Sequence, residues 1–171
     1  FQYARDHARP EGGTAQFDPE KLRMISAADR RWAWTEVDLN AIRHNVASIR
    51  QRIESGVRIM AVVKADAYGH GAVRVAKTAL NSGADYLGVA TVDEAIQLRE
   101  GLVNAPILVL SQPPAASIPL LLAYKVMPSV YTPDFAIQYA ETADSFGLRA
   151  PYHLAVNTGM NRIGVRHDEA V

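Results

Sequence analysis

Cysteine is missing from all 171 residues, and that absence removes disulfide staples, thiolate nucleophiles and thiolate metal sites together. It selects no compartment. Net charge is lacking too: 18 basic and 18 acidic residues are interspersed and cancel, with no basic stripe of the kind that tracks a nucleic-acid backbone. No apolar run approaches the roughly 20 residues of a membrane span. The histidines, His7, His44, His70, His153 and His167, show no metal-ligand spacing, and neither internal repeats nor low-complexity tracts are evident. What remains is a chain that is 49% hydrophobic, enough to build the core of one domain, which is the expectation at this length.

Residues 1–31 differ in texture from the rest. Arg9-Pro10-Glu11-Gly12-Gly13 and the neighbouring charges break any periodicity, so an irregular or disordered extension is expected there. A short amphipathic helix at Pro19–Ile25 is its one candidate element. Residues 32–171 read as the domain. The first residue is Phe1 rather than methionine, which leaves a removed leader open, and a cytoplasmic location is the expectation.

From Trp34 onwards the pattern is α/β. Ile42, Val46, Ile49 and Ile53 form one stripe of an amphipathic helix after Asp38-Leu39, and Gly56 stops it. Ile59–Val63 is too short for a comfortable helix, and its bulky members suit a strand buried on both faces. A second helix presents Val73, Ala76 and Leu80 inward before Gly83. Strands are expected again at Tyr86–Ala90, Ile107–Leu110, Met127–Tyr131 and Tyr152–Val156. Between them, Thr91-Val-Asp-Glu94 has the form of a capping box that opens a helix to about Arg99. A short helix is expected at Ile118–Ala123, and Thr132-Pro133-Asp134 starts another with proline at its first position. Five alternations with short connections argue for a parallel sheet with right-handed crossovers. An open doubly wound sheet and part of a barrel both fit. Five units close no eight-stranded barrel, so the chain is expected to be the N-terminal portion of a longer enzyme.

The apolar run Ile59–Val63 stops on Lys64. At the C-terminal end of a parallel strand, where α/β folds place their chemistry, an amine backed by a low-dielectric floor loses its proton readily and condenses with carbonyls. Position alone also fits a solvated charge, with Tyr68 an aromatic packed on a loop and His70 a surface imidazole. The string Lys64-Ala-Asp-Ala-Tyr68-Gly-His-Gly71 closely resembles the cofactor-lysine signature of the alanine racemase family, fold-type III enzymes that use pyridoxal 5'-phosphate. Trp34-Thr-Glu-Val-Asp-Leu-Asn-Ala-Ile-Arg-His-Asn-Val46 resembles the family's opening strand and first helix. His153-Leu-Ala-Val-Asn-Thr-Gly-Met-Asn-Arg-Ile-Gly-Val165 resembles its TGM-x-R-x-G segment. The three matches occur in the family's order and cover roughly residues 32–167.

The resemblance implies a partial (β/α)8 barrel lacking the family's C-terminal β-domain. It further implies that Lys64 carries the cofactor as an aldimine and exchanges a proton on one face of the substrate's α-carbon. By the same resemblance Tyr68 contacts the phosphate, and Arg162 lies near the cofactor's phenolic oxygen and the substrate carboxylate. The base for the opposite face comes from a partner subunit of a homodimer, outside this chain, so the chain alone is expected to be inactive. Activity is expected to be interconversion of L- and D-alanine, the latter a peptidoglycan precursor. A decarboxylase or a non-catalytic cofactor-carrying barrel of the same fold is the alternative, as is a fragment or pseudoenzyme serving only as a dimerisation scaffold. Serine or a wider substrate set stays open. One departure from the commoner family pattern is informative: Ala155 stands where many members carry a carbamylated lysine, and Asn157 where they carry aspartate. Some relatives with that pair hold a chloride instead, so Asn157 and Arg162 are expected to share an anion.

Overall fold

The computed structural model describes residues 33–169; the extension expected over 1–31 and its helix at Pro19–Ile25 lie outside the described residues. By its contacts the chain divides into Phe1–Glu36 and Val37–Val171, and the account below concerns the second unit. Residues 33–38, where an opening strand was expected, carry no assigned regular structure. Extended backbone at Asp38 passes directly into helix α1, Leu39–Arg52. Asp38 Oδ1 accepts from the amides of Asn40 at 2.8 Å and Ala41 at 3.3 Å, satisfying donors that a helix start leaves orphaned. The α1 stripe is only partly covered: none of its residues is buried, and Ile49 is 50% exposed.

Five parallel strands follow in sequence order: β1 Met60–Val62, β2 Tyr86–Val89, β3 Ile107–Val109, β4 Met127–Val130 and β5 His153–Leu154. The register pairs Met60 with Tyr86, Leu87 with Ile107, Leu108 with Met127 and Ser129 with His153. The crossovers are α2 Ala72–Asn81, α3 Val92–Glu100, α4 Ile118–Ala123 behind a 3-10 turn at Ala115–Ser117, and α5 Pro133–Ser145. Strand side chains alternate between faces. Leu87, Val89, Ile107 and Val109, all fully buried, share a core with Ala76, Ala95, Leu98 and Leu121 of the helices. Each such aliphatic side chain contributes about 1.5–3 kcal/mol by leaving water.

β1 lies at an edge, and this corrects the expectation of burial on both faces. Val63 is 1% exposed but Val62 is 40% exposed: the two side chains point to opposite faces, Val63 into the core shared with the helices, and Val62 onto a face that has a neighbouring strand on one side only among the described residues. The fifth strand differs as well. After Leu154 the chain changes partner: Ala155 donates to Val130 O and accepts from Val165 N, each at 2.9 Å. Beyond it, β6 Val156–Asn157 pairs in parallel with β7 Val165–Arg166 as a separate two-stranded sheet.

Two arginines tie the N-terminal ends of the strands. Arg99 forks to four backbone carbonyls: Val103 at 2.6 Å, Ala105 at 2.8 Å, Tyr124 at 2.9 Å and Lys125 at 3.0 Å. A planar guanidinium suits this use, because its donors point in fixed, diverging directions. Arg50 reaches from α1 to the carbonyls of Val57 and Gly83 and to Asp85 Oδ2, at 2.5 Å. Asp85 Oδ2 also accepts from Ile59 N at 2.7 Å.

The Ile59 amide first, and the Arg50 guanidinium after it, hold the Asp85 carboxyl below the ordinary aspartate range. A depressed folded value stabilises the native state above the unfolded value of about 3.9 and loses that contribution as pH falls through the folded one. Wild type and Asp85→Asn therefore differ in thermal midpoint at neutral pH and converge in acid. A gap that stays constant across a pH series contradicts the coupling.

Candidate active site

Lys64 follows Val63 at the C-terminal end of β1, and the chain there does something its composition does not announce. Ala65, Asp66, Ala67 and Tyr68 all have φ between +51° and +55°, a left-handed helical turn inside Lys64–Gly69. For L residues each such conformation costs about 1–2 kcal/mol, so the surroundings must over-determine it. Several contacts do so. The Val63 amide is fixed to Gly88 O at 2.8 Å, and Ala67 N donates to Val63 O at 2.9 Å. Asp66 Oδ1 accepts from Ala72 N at 2.7 Å, which ties the turn to the first residue of α2. His70 Nδ1 faces the carbonyls of Ala67 at 2.9 Å and Tyr68 at 3.1 Å. Two acceptors make that nitrogen the donor.

The remaining clamp is Glu94. The capping box read at Thr91–Glu94 is formed: Thr91 Oγ1 accepts from Glu94 N at 3.2 Å, and Glu94 Oε2 accepts from Thr91 N at 3.2 Å and Ala90 N at 2.7 Å. Its other oxygen, Oε1, accepts from Ala65 N at 2.7 Å. One carboxylate thus spans the loops after β1 and β2. The next two loops are joined in the same manner. Ser111 Oγ donates to Ala90 O at 3.1 Å. Gln112 Oε1 accepts from the amides of Tyr131 and Thr132 at 2.9 and 3.0 Å, while its Nε2 donates to Thr132 Oγ1 at 2.8 Å. The C-terminal rim of β1 to β4 is laced by side chains that bond to backbone.

Lys64 is half-buried, and among the described residues its side chain enters no hydrogen bond or salt bridge; Tyr68 is 60% exposed. At Gly71 (φ +89°) an added Cβ would meet nothing within 4 Å, so glycine serves the backbone angle there rather than space.

Asn157 and Arg162 lie on the other rim segment, at the end of β6 and in the loop before β7. Asn157 Oδ1 accepts from Gly159 N and Asn161 N, each at 3.0 Å, and Nδ2 donates to Asn161 Oδ1 at 2.8 Å. Its amide is the template on which the loop is wound. Arg162 is exposed and enters no hydrogen bond or salt bridge among the described residues. Lys64 and Tyr68 follow β1, while Asn157 and Arg162 follow β5, so the two pairs leave opposite ends of the row of strands; no hydrogen bond joins Asn157 to Arg162 among the described residues. Glu94 and Gln112 were not anticipated as rim clamps. The capping box marked Glu94, but nothing local announces where its second oxygen goes.

Five parallel strands in sequence order joined by helices, with an amine on the C-terminal rim that has no partner among the described residues, are the arrangement of part of a βα-barrel, a fold that holds ligands at that rim. The chain belongs to the family described as "Alanine racemase, N-terminal domain", whose profile matches residues 37–171. Alanine racemase 2 of Oceanobacillus iheyensis is 45% identical over 139 residues, 81% of this chain and 36% of that protein. Among solved structures, alanine racemase of Clostridium difficile 630 in complex with cycloserine matches with a TM-score of 0.77 and 38% identity, over 80% of this chain and 38% of that one. Histidine racemase of Leuconostoc mesenteroides subsp. sake matches with a TM-score of 0.69 and 32% identity, over 75% and 34%. The chain spans little more than a third of the length of these relatives.

Proposed function

We propose that this chain supplies the cofactor-lysine half of an amino-acid racemase, with alanine as substrate and pyridoxal 5'-phosphate as cofactor. The observation that carries the proposal is Lys64 itself: a primary amine at the tip of a parallel strand, without an ionic partner among the described residues, on a turn held from several sides. The donor set suits a phosphorylated aldehyde. Lys64 offers the amine that condenses with it, and the exposed Tyr68 hydroxyl offers a donor to phosphate on the same turn. Bound there, the cofactor supplies an aldehyde for covalent attachment and a conjugated ring that stabilises negative charge on the substrate's α-carbon.

Lys64 Nζ holds the cofactor at rest and moves a proton at the substrate α-carbon on one face. General acid–base transfer of this sort contributes about 10²- to 10⁴-fold. Inversion needs a second base on the opposite face, which we place outside this chain, in a partner subunit of a homodimer. The chain alone is then inactive in racemisation. Arg162 presents a planar, permanently charged fork suited to a substrate carboxylate. Ala155 and Asn157 stand where the commoner family pattern has a lysine and an aspartate, and Arg162 has no acidic partner among the described residues, so a chloride held between Arg162 and Asn157 is part of the proposal. A cytoplasmic site of action accompanies it, and among the described residues no helix is long and apolar enough to cross a membrane.

The histidine racemase among the structural neighbours makes substrate width the part to test. In a chain of its relatives' length loaded with pyridoxal phosphate, chiral chromatography after incubation with L-alanine should show D-alanine approaching a one-to-one mixture. Ethylamine in its place identifies a decarboxylase. No turnover of alanine, serine or histidine, with the fold intact, refutes the racemase reading.

A further inference from the structure

The carboxylate of Glu94 makes three hydrogen bonds to backbone, and only two of them belong to its helix. The third runs from the Ala65 amide to Glu94 Oε1 at 2.7 Å, across a separation of 29 residues in sequence. Ala65 is the residue after Lys64 and the first of the left-handed run. We infer that Glu94 is a positioning residue for Lys64: its carboxylate anchors the first peptide of the left-handed turn to the start of α3 and so aims the lysine. The inference rests on the racemase reading for its catalytic consequence, and on geometry alone for its structural one.

The chemistry of the acceptor makes the claim specific. Ala65, Ala90 and Thr91 all present N–H groups, so both oxygens serve as acceptors. A glutamine has one acceptor oxygen and one amide nitrogen, which would oppose an N–H. Placed toward the two donors of Ala90 and Thr91, its oxygen preserves the cap and its nitrogen faces the Ala65 amide. Glu94→Gln should therefore release the lysine turn while sparing most of the cap. Glu94→Asp keeps the charge but is one methylene short of spanning both loops. Thr91→Ala does the opposite, removing the Oγ1 acceptor of the cap while leaving the Ala65 bond in place.

The test compares these variants in the protein at its relatives' length, loaded with pyridoxal phosphate, by amide hydrogen exchange at Ala65, melting temperature, and kcat and KM for alanine. A hydrogen bond to a charged group corresponds to about a 10- to 100-fold equilibrium. Ala65 exchange should accordingly quicken by about 10-fold or more in Glu94→Gln and Glu94→Asp. Their kcat should fall by about 10- to 100-fold with KM changed less than about twofold. Thr91→Ala should lower the melting temperature without either change. Glu94 is only a capping residue if Ala65 exchange in Glu94→Gln stays within about twofold of wild type, or if Thr91→Ala reproduces the exchange and kcat effects. Wild-type protein that fails to racemise any amino acid overturns the functional reading instead. The exchange comparison still decides whether Glu94 holds the turn.

Discussion

In a chain of its relatives' length, replacing Lys64 with alanine should lower the proposed racemisation by at least about 10⁴-fold, because the side chain is asked both to hold the cofactor and to move the proton. The fold should be untouched. Lys64 Nζ enters no hydrogen bond or ion pair among the described residues, and the turn is held by backbone and by Asp66, His70 and Glu94. Without cofactor, the melting temperature of Lys64→Ala is therefore expected to match wild type, while in the loaded protein activity vanishes. Lys64→Arg is the more telling variant. Arginine keeps the positive charge at the rim but stays protonated at all working pH values, so it cannot condense with an aldehyde. If charge were the requirement, arginine would restore activity; on the present account it is as dead as alanine. Activity within about tenfold of wild type in either variant contradicts the assignment.

The second large effect is expected in the backbone packing of the β6–β7 pair, at Gly164. Its φ is +103°, and a Cβ built there would lie 2.8 Å from Asn157 N, 2.9 Å from Val156 C and 3.0 Å from Ala155 O. These are backbone atoms of β6 and the residue before it, which cannot swing aside as a side-chain tip can. Gly164→Ala must pry β7 off β6 and disturb the loop that carries Arg162, so a loss of about 3 kcal/mol is expected, with the urea midpoint falling accordingly. Gly159 provides the control. It too has positive φ, +132°, but an added Cβ meets nothing within 4 Å. Gly159→Ala bears backbone strain alone and should cost about 1 kcal/mol or a little more. Equal effects at the two glycines contradict the close packing of the β6–β7 pair.

The parts of the fold that could be read in the sequence are those governed by local rules. Short bulky runs bounded by turn residues became strands β2, β3 and β4 within a residue of their expected ends, and Thr91–Glu94 formed the reciprocal cap that its spacing implies. Proline at position 133 opens α5 because a first-turn proline lacks only an amide that has no partner there. The resemblance to a family, not periodicity, chose a barrel over an open doubly wound sheet.

What escaped the sequence depends on distant partners. No propensity places Ala-Asp-Ala-Tyr in four left-handed steps; the conformation exists because Val63, Ala72, Glu94 and the His70 ring each hold part of it. β1 was read as fully buried from its residue types, yet an edge strand exposes Val62 whatever its hydrophobicity. The change of partner at Ala155 is a tertiary decision, since two short strands of unremarkable composition divide one extended run. At the candidate site, position and motif pointed to Lys64 and Tyr68, whereas Glu94 and Gln112 act through bonds of long sequence separation.

The central claim is that the amine at the tip of β1 holds an aldehyde cofactor. Borohydride reduction of the pyridoxal phosphate-loaded protein, followed by proteolysis and mass spectrometry, tests it most directly. The account predicts a single stable phosphopyridoxyl adduct, on the peptide containing Lys64. A correctly folded protein that yields no adduct, or yields it on Lys77 or Lys125 instead, contradicts it.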